Sequence, residues 1–158
     1  MVNPNSHDEE GEAEGTVLVV RGNLTVRGLY RDACNDAPDS ILVLGDLRAE
    51  DMITAAHLEV RGSVVVSNVL IGDYNDGSAH IDGDLVARLF VPADHSFTIR
   101  GALRAEWFVK GSNELQAKTS PPAVTWRDVP FADLEFRRND PDASELRKRL
   151  RAHQRILA

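Results

Sequence analysis

The chain has 158 residues, 42% of them hydrophobic, and a formal net charge of −7. This length fits one domain, and a net negative charge argues against a general nucleic-acid binder. No run of 18 apolar residues occurs, so no membrane span is predicted. Cys34 is the only cysteine, which excludes an intramolecular disulfide and favours a reducing compartment, so we expect a cytoplasmic protein.

The N-terminal 15 residues are acidic and offer little to a hydrophobic core. Their carboxylates are Asp8, Glu9, Glu10, Glu12 and Glu14. Such a composition cannot offset the entropy of folding, so we expect a disordered arm over residues 1–15. It also lacks the apolar stretch of a secretory signal.

A pentapeptide of the form Gly-x-Leu/Val-x-Ala/Val occurs five times between residues 16 and 110. The units begin at Gly22, Gly45, Gly62, Gly83 and Gly101, which are 23, 17, 21 and 18 residues apart. A period near 20 in strand-forming residues predicts a stack of similar coils. We number these coils one to five after their glycines.

The residues around each glycine form apolar columns. Positions −4, −2, +2 and +4 relative to the glycine follow the two-residue period of a strand with one buried face. The break before the apolar positions +7 and +8 predicts a corner and a third strand, with both positions facing the interior. The column at −2 contains Val20, Val43, Val60, Ile81 and Ile99.

These columns predict an all-β fold, a single-domain parallel β-helix of about five coils over residues 16–110. We favour a right-handed helix. A left-handed helix of hexapeptide repeats is the alternative, but its strict six-residue repeat fits the variable coil lengths poorly. The glycine lies where a larger side chain would crowd the interior or where the backbone bends.

Charged residues occupy some of the outward columns. Arg61, Asp82 and Arg100 share one column, and the pairs Arg27 with Glu50 and Arg88 with Glu106 share another. Alternating charges on neighbouring coils predict ladders of exposed ion pairs on the outer surface, which stabilise a fold only slightly.

The variation in coil length falls at one place in the repeat. The extra residues form three segments, 31–40, 72–78 and 92–96, which should project from one edge of the solenoid. We call this the loop edge. It consists either of solvated turns or of a protein-binding face. The candidate binding residues are Asp32, Asp36, Asp39, Asp73, Tyr74, Asn75, Asp76 and Asp94.

No catalytic, metal-binding or cofactor-binding motif is found. Residues 73–77 resemble the start of a calcium loop but lack the ligand pattern of an EF-hand. His57, His80 and His95 lie in different coils or point apart, and no phosphate-binding loop or nucleophile elbow occurs. We therefore expect no metal, no cofactor and no enzyme activity.

The C-terminal third breaks the repeat. Residues 111–139 contain Pro121 and Pro122 and are predicted to form an irregular segment that caps the C-terminal end of the solenoid. Residues 140–158 are predicted to form an amphipathic helix, with Asp140 as its cap and Pro141 at its first position. This helix either docks on the solenoid or binds a partner. The apolar residues of the two segments are Val124, Trp126, Val129, Phe131, Leu134, Phe136, Leu146, Leu150, Ile156 and Leu157.

Two phrases, Gly45-Asp46-Leu47-Arg48-Ala49 and Ile81-Asp82-Gly83-Asp84-Leu85-Val86-Ala87, resemble the repeat of bactofilins, the polymer-forming cytoskeletal proteins of bacteria. The resemblance covers residues 17–110. It implies a right-handed β-helix without enzyme activity or nucleotide cofactor that assembles by end-to-end stacking. The chain departs from bactofilins in its uneven loops and in the long segment after residue 110, which would block growth if it caps that end.

Three functions remain open from the sequence. The first is a protein-interaction module, for example an immunity or inhibitor protein that binds a basic toxin or nuclease through the loop edge or the tail. The second is a self-associating scaffold subunit of the bactofilin kind. The third is an enzyme of the β-helix acyltransferase type.

Overall fold

The structure, a computed structural model, describes residues 16–32, 40–74, 76–133 and 142–158. The arm predicted for residues 1–15 lies outside these ranges. Within them are one α-helix, α1 (Ala143–Arg151), and eleven strands: β1 (Val17–Val20), β2 (Leu24–Arg31), β3 (Ser40–Val43), β4 (Leu47–Thr54), β5 (His57–Val60), β6 (Val64–Val66), β7 (Val69–Gly72), β8 (Ser78–Ile81), β9 (Leu85–Val91), β10 (Ser96–Phe108) and β11 (Leu115–Thr119).

The strands form the walls of a parallel β-solenoid, as predicted. The first wall contains β1, β3, β5, β8 and the start of β10, with β11 paired beyond β10. The other two walls are formed by β2, β4, β6 with β7, β9 and the end of β10, and all pairs between named strands are parallel. Each coil therefore adds one layer to every wall. The right-handed sense remains a prediction.

The column at position −2 is one continuous file inside the solenoid. Val20 pairs with Val43, Val43 with Val60, and Val60 with Ile81, which pairs with Ile99. Val43 and Val60 are completely buried. Because like residues lie directly above one another, each coil covers the apolar side chains of the previous one. The central prediction from the sequence is confirmed.

The repeated glycines stack at the first corner, where the backbones of successive coils come close together. The N–H of Gly62 donates to the carbonyl oxygen of Gly45 at 3.0 Å. A Cβ atom on Gly62 would lie 2.8 Å from the backbone carbon and oxygen of Gly45. Glycine is thus required by the approach of the neighbouring coil's backbone.

The residue after each glycine adds a second column of hydrogen bonds. Asn23 accepts from the N–H of Asp46 at 2.8 Å, and Asp46 accepts from the N–H of Ser63 at 3.0 Å. Ser63 accepts in turn from Asp84, and Asp84 accepts from Ala102 at 2.8 Å. Ala102 has no side-chain oxygen, so this acceptor column ends at coil five.

The prediction that positions +7 and +8 both face the interior is wrong. The strand pairing aligns Tyr30 with Met52, Met52 with Leu70, and Leu70 with Phe90 and then Phe108. Those residues lie at +8 in coils one and three and at +7 in the others, because coils one and three have one extra residue at the second corner. A separate third strand occurs only in coil three, as β7, and elsewhere one longer strand continues past the corner.

Along the third wall, the residues that alternate with the interior file from Tyr30 to Phe108 point away from the solenoid interior. Their apolar side chains belong to a second hydrophobic core. Ile53, Ile71 and Leu89 of the third wall are at most 1% exposed. They are covered by residues from the C-terminal segment: Val129, Phe131, Leu146, Leu150, Ile156 and Leu157. These residues therefore lie along the side of the solenoid, whereas the sequence predicted that they cover its C-terminal end; of the named strands, only β11 adds a layer at that end.

The C-terminal segment is also more regular than predicted. β11 continues the first wall beyond β10, and single bridges join Val109 to Val124 and Phe131 to Leu157. Helix α1 is shorter than residues 140–158, and Asp142 caps it by accepting from the N–H of Glu145 at 2.9 Å. Asp140 and Pro141, like Leu134 and Phe136, lie outside the described residues.

Most of the predicted charge ladder is present on the outer surface. Arg61 and Arg100 lie 3.2 Å and 3.1 Å from the carboxylate of Asp82. Arg88 lies 3.3 Å from Glu106. The predicted pair of Arg27 with Glu50 does not form among the described residues.

Replacing Gly62 with alanine should lower the free energy of unfolding by about 1–3 kcal/mol, because the new Cβ atom overlaps the backbone of Gly45. Thr25→Ala, an exposed position on β2, is the control and should change stability by less than about 0.5 kcal/mol. Urea unfolding measures both. Equal stability of Gly62→Ala and the wild type would contradict the stacking at this corner.

Leu146→Ala should lower the free energy of unfolding by about 2–4 kcal/mol, because Leu146 is fully buried in the second core. Lys148→Ala, on the exposed side of α1, provides the matched control. Both can be measured by urea unfolding followed by circular dichroism. A loss below about 0.5 kcal/mol for Leu146→Ala would show that the C-terminal segment does not pack against the third wall.

Candidate functional site

The structure places the loop edge at the third corner of the solenoid. Its three segments follow the strands β2, β7 and β9 and precede β3, β8 and β10. The strands β2, β7 and β9 lie in one wall, because β4 pairs with both β2 and β7, and β7 pairs with β9. Among the eight candidate residues, Asp36, Asp39 and Asn75 lie outside the described residues. The other five are at this corner but in different environments.

Asp32 is buried, with 7% of its surface exposed. Its carboxylate accepts hydrogen bonds from the hydroxyl of Thr54 at 2.8 Å and from the backbone N–H groups of Ala55 and Ala56. The hydroxyl of Tyr30 also donates to Asp32, and burial together with this carboxylate raises the pKa of Tyr30. Asp32 therefore connects coil one to coil two, and this burial keeps it from contacting a partner.

Asp73 holds helix α1 against the solenoid. Its carboxylate pairs with Arg147, and Arg151 lies 3.9 Å away. Both arginines extend from α1, whose apolar residues Leu146 and Leu150 are buried. The helix thus uses its apolar side to dock on its own chain, so this side is not available to a partner. Asp73 contributes mainly to that docking.

The remaining described candidates are exposed. Asp94 accepts a hydrogen bond from the hydroxyl of Ser112 at 3.0 Å. Asp76 lies in a turn, and Tyr74 is 41% exposed with a positive φ of 95°. These three residues are near one another at the loop edge, but only Asp76 and Asp94 present carboxylates to solvent.

His95 is a buried polar residue that the sequence analysis considered only as a possible metal ligand. Its side chain is 0% exposed and lies edge-on against Phe97, with 5.2 Å between ring centroids. Nδ1 donates to the carbonyl oxygen of Tyr74 at 3.2 Å, whereas Nε2 is buried and has no hydrogen-bond partner in the described part of the chain. Burial lowers the pKa of His95, because a second proton would create a buried charge.

Two glycines make room for His95. A Cβ atom on Gly77 would lie 2.7 Å from Nδ1 of His95, and one on Gly72 would lie 2.6 Å from its Cβ atom. Gly72 and Gly77 therefore allow an imidazole to enter the corner. This packing assigns His95 a structural role.

The described residues contain no group of three or more histidine, cysteine, aspartate or glutamate side chains able to hold a metal ion. The same part of the chain has no helix with the length and apolarity needed to cross a membrane.

The most exposed apolar surface lies at the N-terminal end of the solenoid. Val17, Leu18 and Val19 of β1 are 66%, 54% and 50% exposed. β1 and β2, the strands of coil one, are the two ends of the strand path, so neither has a second neighbour in the described ranges. We call β1, β2 and their free edges the open end.

The backbone of β1 directs half of its polar groups to the free edge. The carbonyl oxygens of Thr16 and Val20 accept from Ser40 and Leu44 of the next coil. Because the N–H and C=O of one residue point to the same side and alternate along a strand, those of Val17 and Val19 point away from β3. They form a row ready to pair with another strand.

A signal for this surface was present in the sequence. Val17, Val19, Leu42 and Leu44 occupy outward positions of the first wall in coils one and two. Coil three carries His57, Glu59 and Arg61 at the equivalent positions. Apolar residues on an outward strand face indicate a contact surface.

Comparisons with known proteins found no matching family model, no matching curated protein and no matching solved structure.

The stability of the protein should depend on pH through His95. Since its pKa is lower in the folded chain than the ordinary value of 6.5, the unfolded chain binds more protons between those two pKa values. The free energy of unfolding should therefore rise with pH in this window. The part of it that comes from burying neutral His95 is lost as the pH falls from 6.5 through the folded pKa. His95→Gln should flatten this rise, whereas His80→Gln, at an exposed position of β8, should not. Urea unfolding at several pH values measures it, and an unchanged pH profile for His95→Gln would contradict this role.

Proposed function

We propose that the chain is a non-enzymatic protein-interaction module that binds an extended segment of another protein as an additional strand on β1. The observation that supports this proposal is the exposure of Val17, Leu18 and Val19 on a strand with a free edge. Addition of a strand to a sheet edge is a common way to bind a peptide, because the backbone supplies hydrogen bonds and alternate side chains supply specificity.

Both faces of β1 would contribute to such binding. The side chain of Leu18 points toward the interior, where it continues the file formed by Ile41 and Leu58. Val17 and Val19 point outward beside Leu42 and Leu44. An added strand would therefore bury apolar surface on both sides of the wall, at about 25 cal/mol per Å².

The loop edge gives less support to a binding role than the open end. Asp32 is buried and Asp73 pairs with Arg147, which leaves Asp76 and Asp94 as its exposed carboxylates in the described ranges. The narrower role of an inhibitor of a basic toxin or nuclease is supported only by the net charge and by these two residues. The buried polar residues Asp32 and His95 both serve the fold, which agrees with a role other than catalysis.

A self-associating scaffold subunit is the second candidate, supported by the same open end. Filament growth needs two complementary ends. At the C-terminal end, β11 already pairs with the first wall, and none of the large apolar side chains that are exposed belongs to β11 or to the end of β10. This difference between the ends favours docking at one end over continuous polymerisation.

The proposal can be tested with Val19→Pro. Proline lacks the N–H that Val19 directs to the free edge, and an edge strand tolerates it there because no bond to β3 is lost. A fluorescent synthetic peptide of alternating valine and threonine should bind the wild type, and Val19→Pro should weaken binding about tenfold or more. Val19→Thr keeps the N–H and serves as the control.

Fluorescence anisotropy gives the affinities, and hydrogen exchange of the β1 amides reports where the peptide binds. Failure of the wild type to bind the peptide, or equal binding by Val19→Pro, would overturn strand addition at this edge.

A further inference from the structure

We infer that the partner of the open end is an acidic segment of another protein, with carboxylates that meet three arginines on coil one that have no ion-pair partner among the described residues. The inference rests on the proposed function and specifies its partner. The arginines are Arg21, Arg27 and Arg31, and all three are exposed. These positive charges lie on a chain whose net charge of −7 by itself favours a basic partner.

The three arginines are distributed around coil one. Arg21 precedes Gly22 at the first corner, Arg27 precedes Gly28 at the second, and Arg31 ends β2 beside the third. They therefore form a positively charged rim along coil one, with Arg21 just after the end of β1 and Arg31 close to Thr16 and Leu18 at its start. A strand on β1 would pass Arg21 and Arg31, and a segment that continued around the coil would also pass Arg27.

The rim differs from the rest of the solenoid in lacking carboxylate partners. Residues 16–110 contain eight arginines. The five in coils two to five each form an ion pair with a described carboxylate: Arg48, Arg61, Arg88, Arg100 and Arg104. No carboxylate of the described residues lies within ion-pair distance of Arg21, Arg27 or Arg31.

Part of this difference is geometric. Arg100 and Arg104 are paired with carboxylates on the preceding coil, namely Asp82 and Asp84. Coil one has no preceding coil, and the residue of coil two next to Arg21 is Leu44, which carries no charge. A segment that takes the place of this missing coil would complete the charge pattern of the outer surface if it carried aspartate or glutamate at the outward positions.

Two other occupants fit the open end less well. A second copy placed open end to open end would bring two arginine rims together, and like charges facing each other are unfavourable. In a head-to-tail copy the open end would meet the C-terminal end, where β11 already pairs with β10. Residues 1–15 of the same chain contain five carboxylates but only Met1 and Val2 as large apolar residues. They match the rim but not the apolar strand, whereas a partner that alternates acidic and apolar residues matches both.

The experiment uses two fluorescent synthetic peptides of equal length, one alternating valine with glutamate and the other valine with lysine. The full-length wild type should bind the acidic peptide about tenfold more tightly than the basic one at low ionic strength, as expected for three exposed pairs. The preference should shrink at high salt, because exposed charges are screened. Fluorescence anisotropy at both salt concentrations measures it.

A triple variant, Arg21→Gln/Arg27→Gln/Arg31→Gln, should abolish the preference for the acidic peptide. The matched control, Arg48→Gln/Arg88→Gln/Arg104→Gln, removes the same charge from coils two, four and five and should keep it. Since five of these six side chains are exposed and that of Arg88 is half-buried, circular dichroism should show folded protein in both cases.

The outcomes separate this inference from the proposed function. Equal binding of both peptides that is lost in Val19→Pro would overturn the acidic partner and leave strand addition standing. Binding of neither peptide would overturn both. If the acidic peptide binds only after Asp8, Glu9, Glu10, Glu12 and Glu14 are changed to amides, the rim is occupied by the chain's own segment and the inference is wrong. A dimer of the wild type that the triple arginine variant strengthens would assign the end to a second copy.

Discussion

The structure depends on the alignment of equivalent backbone positions in successive coils. At the first corner, the N–H of each glycine from Gly45 to Gly101 donates to the glycine one coil earlier, at 2.9–3.0 Å. This contact sets the register of the walls on both sides, and a strand displaced by one residue would turn its apolar side chains outward. The interior file, the charge pairs between coils and the acceptor column all follow from that alignment.

Periodicity made the interior of the first wall predictable, because a two-residue period beside a repeated glycine has few structural solutions. The third wall was harder, since one additional residue at the second corner of coils one and three exchanges inward and outward positions. The side packing of the C-terminal segment was not predictable either. A lid over the end and a cover along the third wall need the same apolar residues, such as Phe131 and Leu146, and composition cannot distinguish them.

Net charge proved a poor guide to the surfaces. Asp32 and Asp73 look like exposed loop carboxylates in the sequence, yet one binds backbone amides of the next coil and the other binds Arg147. Arginines that look alike in the repeat differ in whether a neighbouring coil supplies a carboxylate. Each of these differences depends on which residues become neighbours across about twenty positions of sequence, and such neighbours can be identified only after the register is known.

The acceptor column also determines how the solenoid can change in length. Each oxygen from Asn23 to Asp84 receives the amide of the following coil, and Ala102 offers only a methyl group. A duplication within coils two to four would leave every amide matched, whereas a new turn inserted after Ala102 would begin with an amide that lacks its oxygen. A solenoid of this design can therefore gain or lose a coil most easily in its middle, where each corner both receives and supplies a matching hydrogen bond.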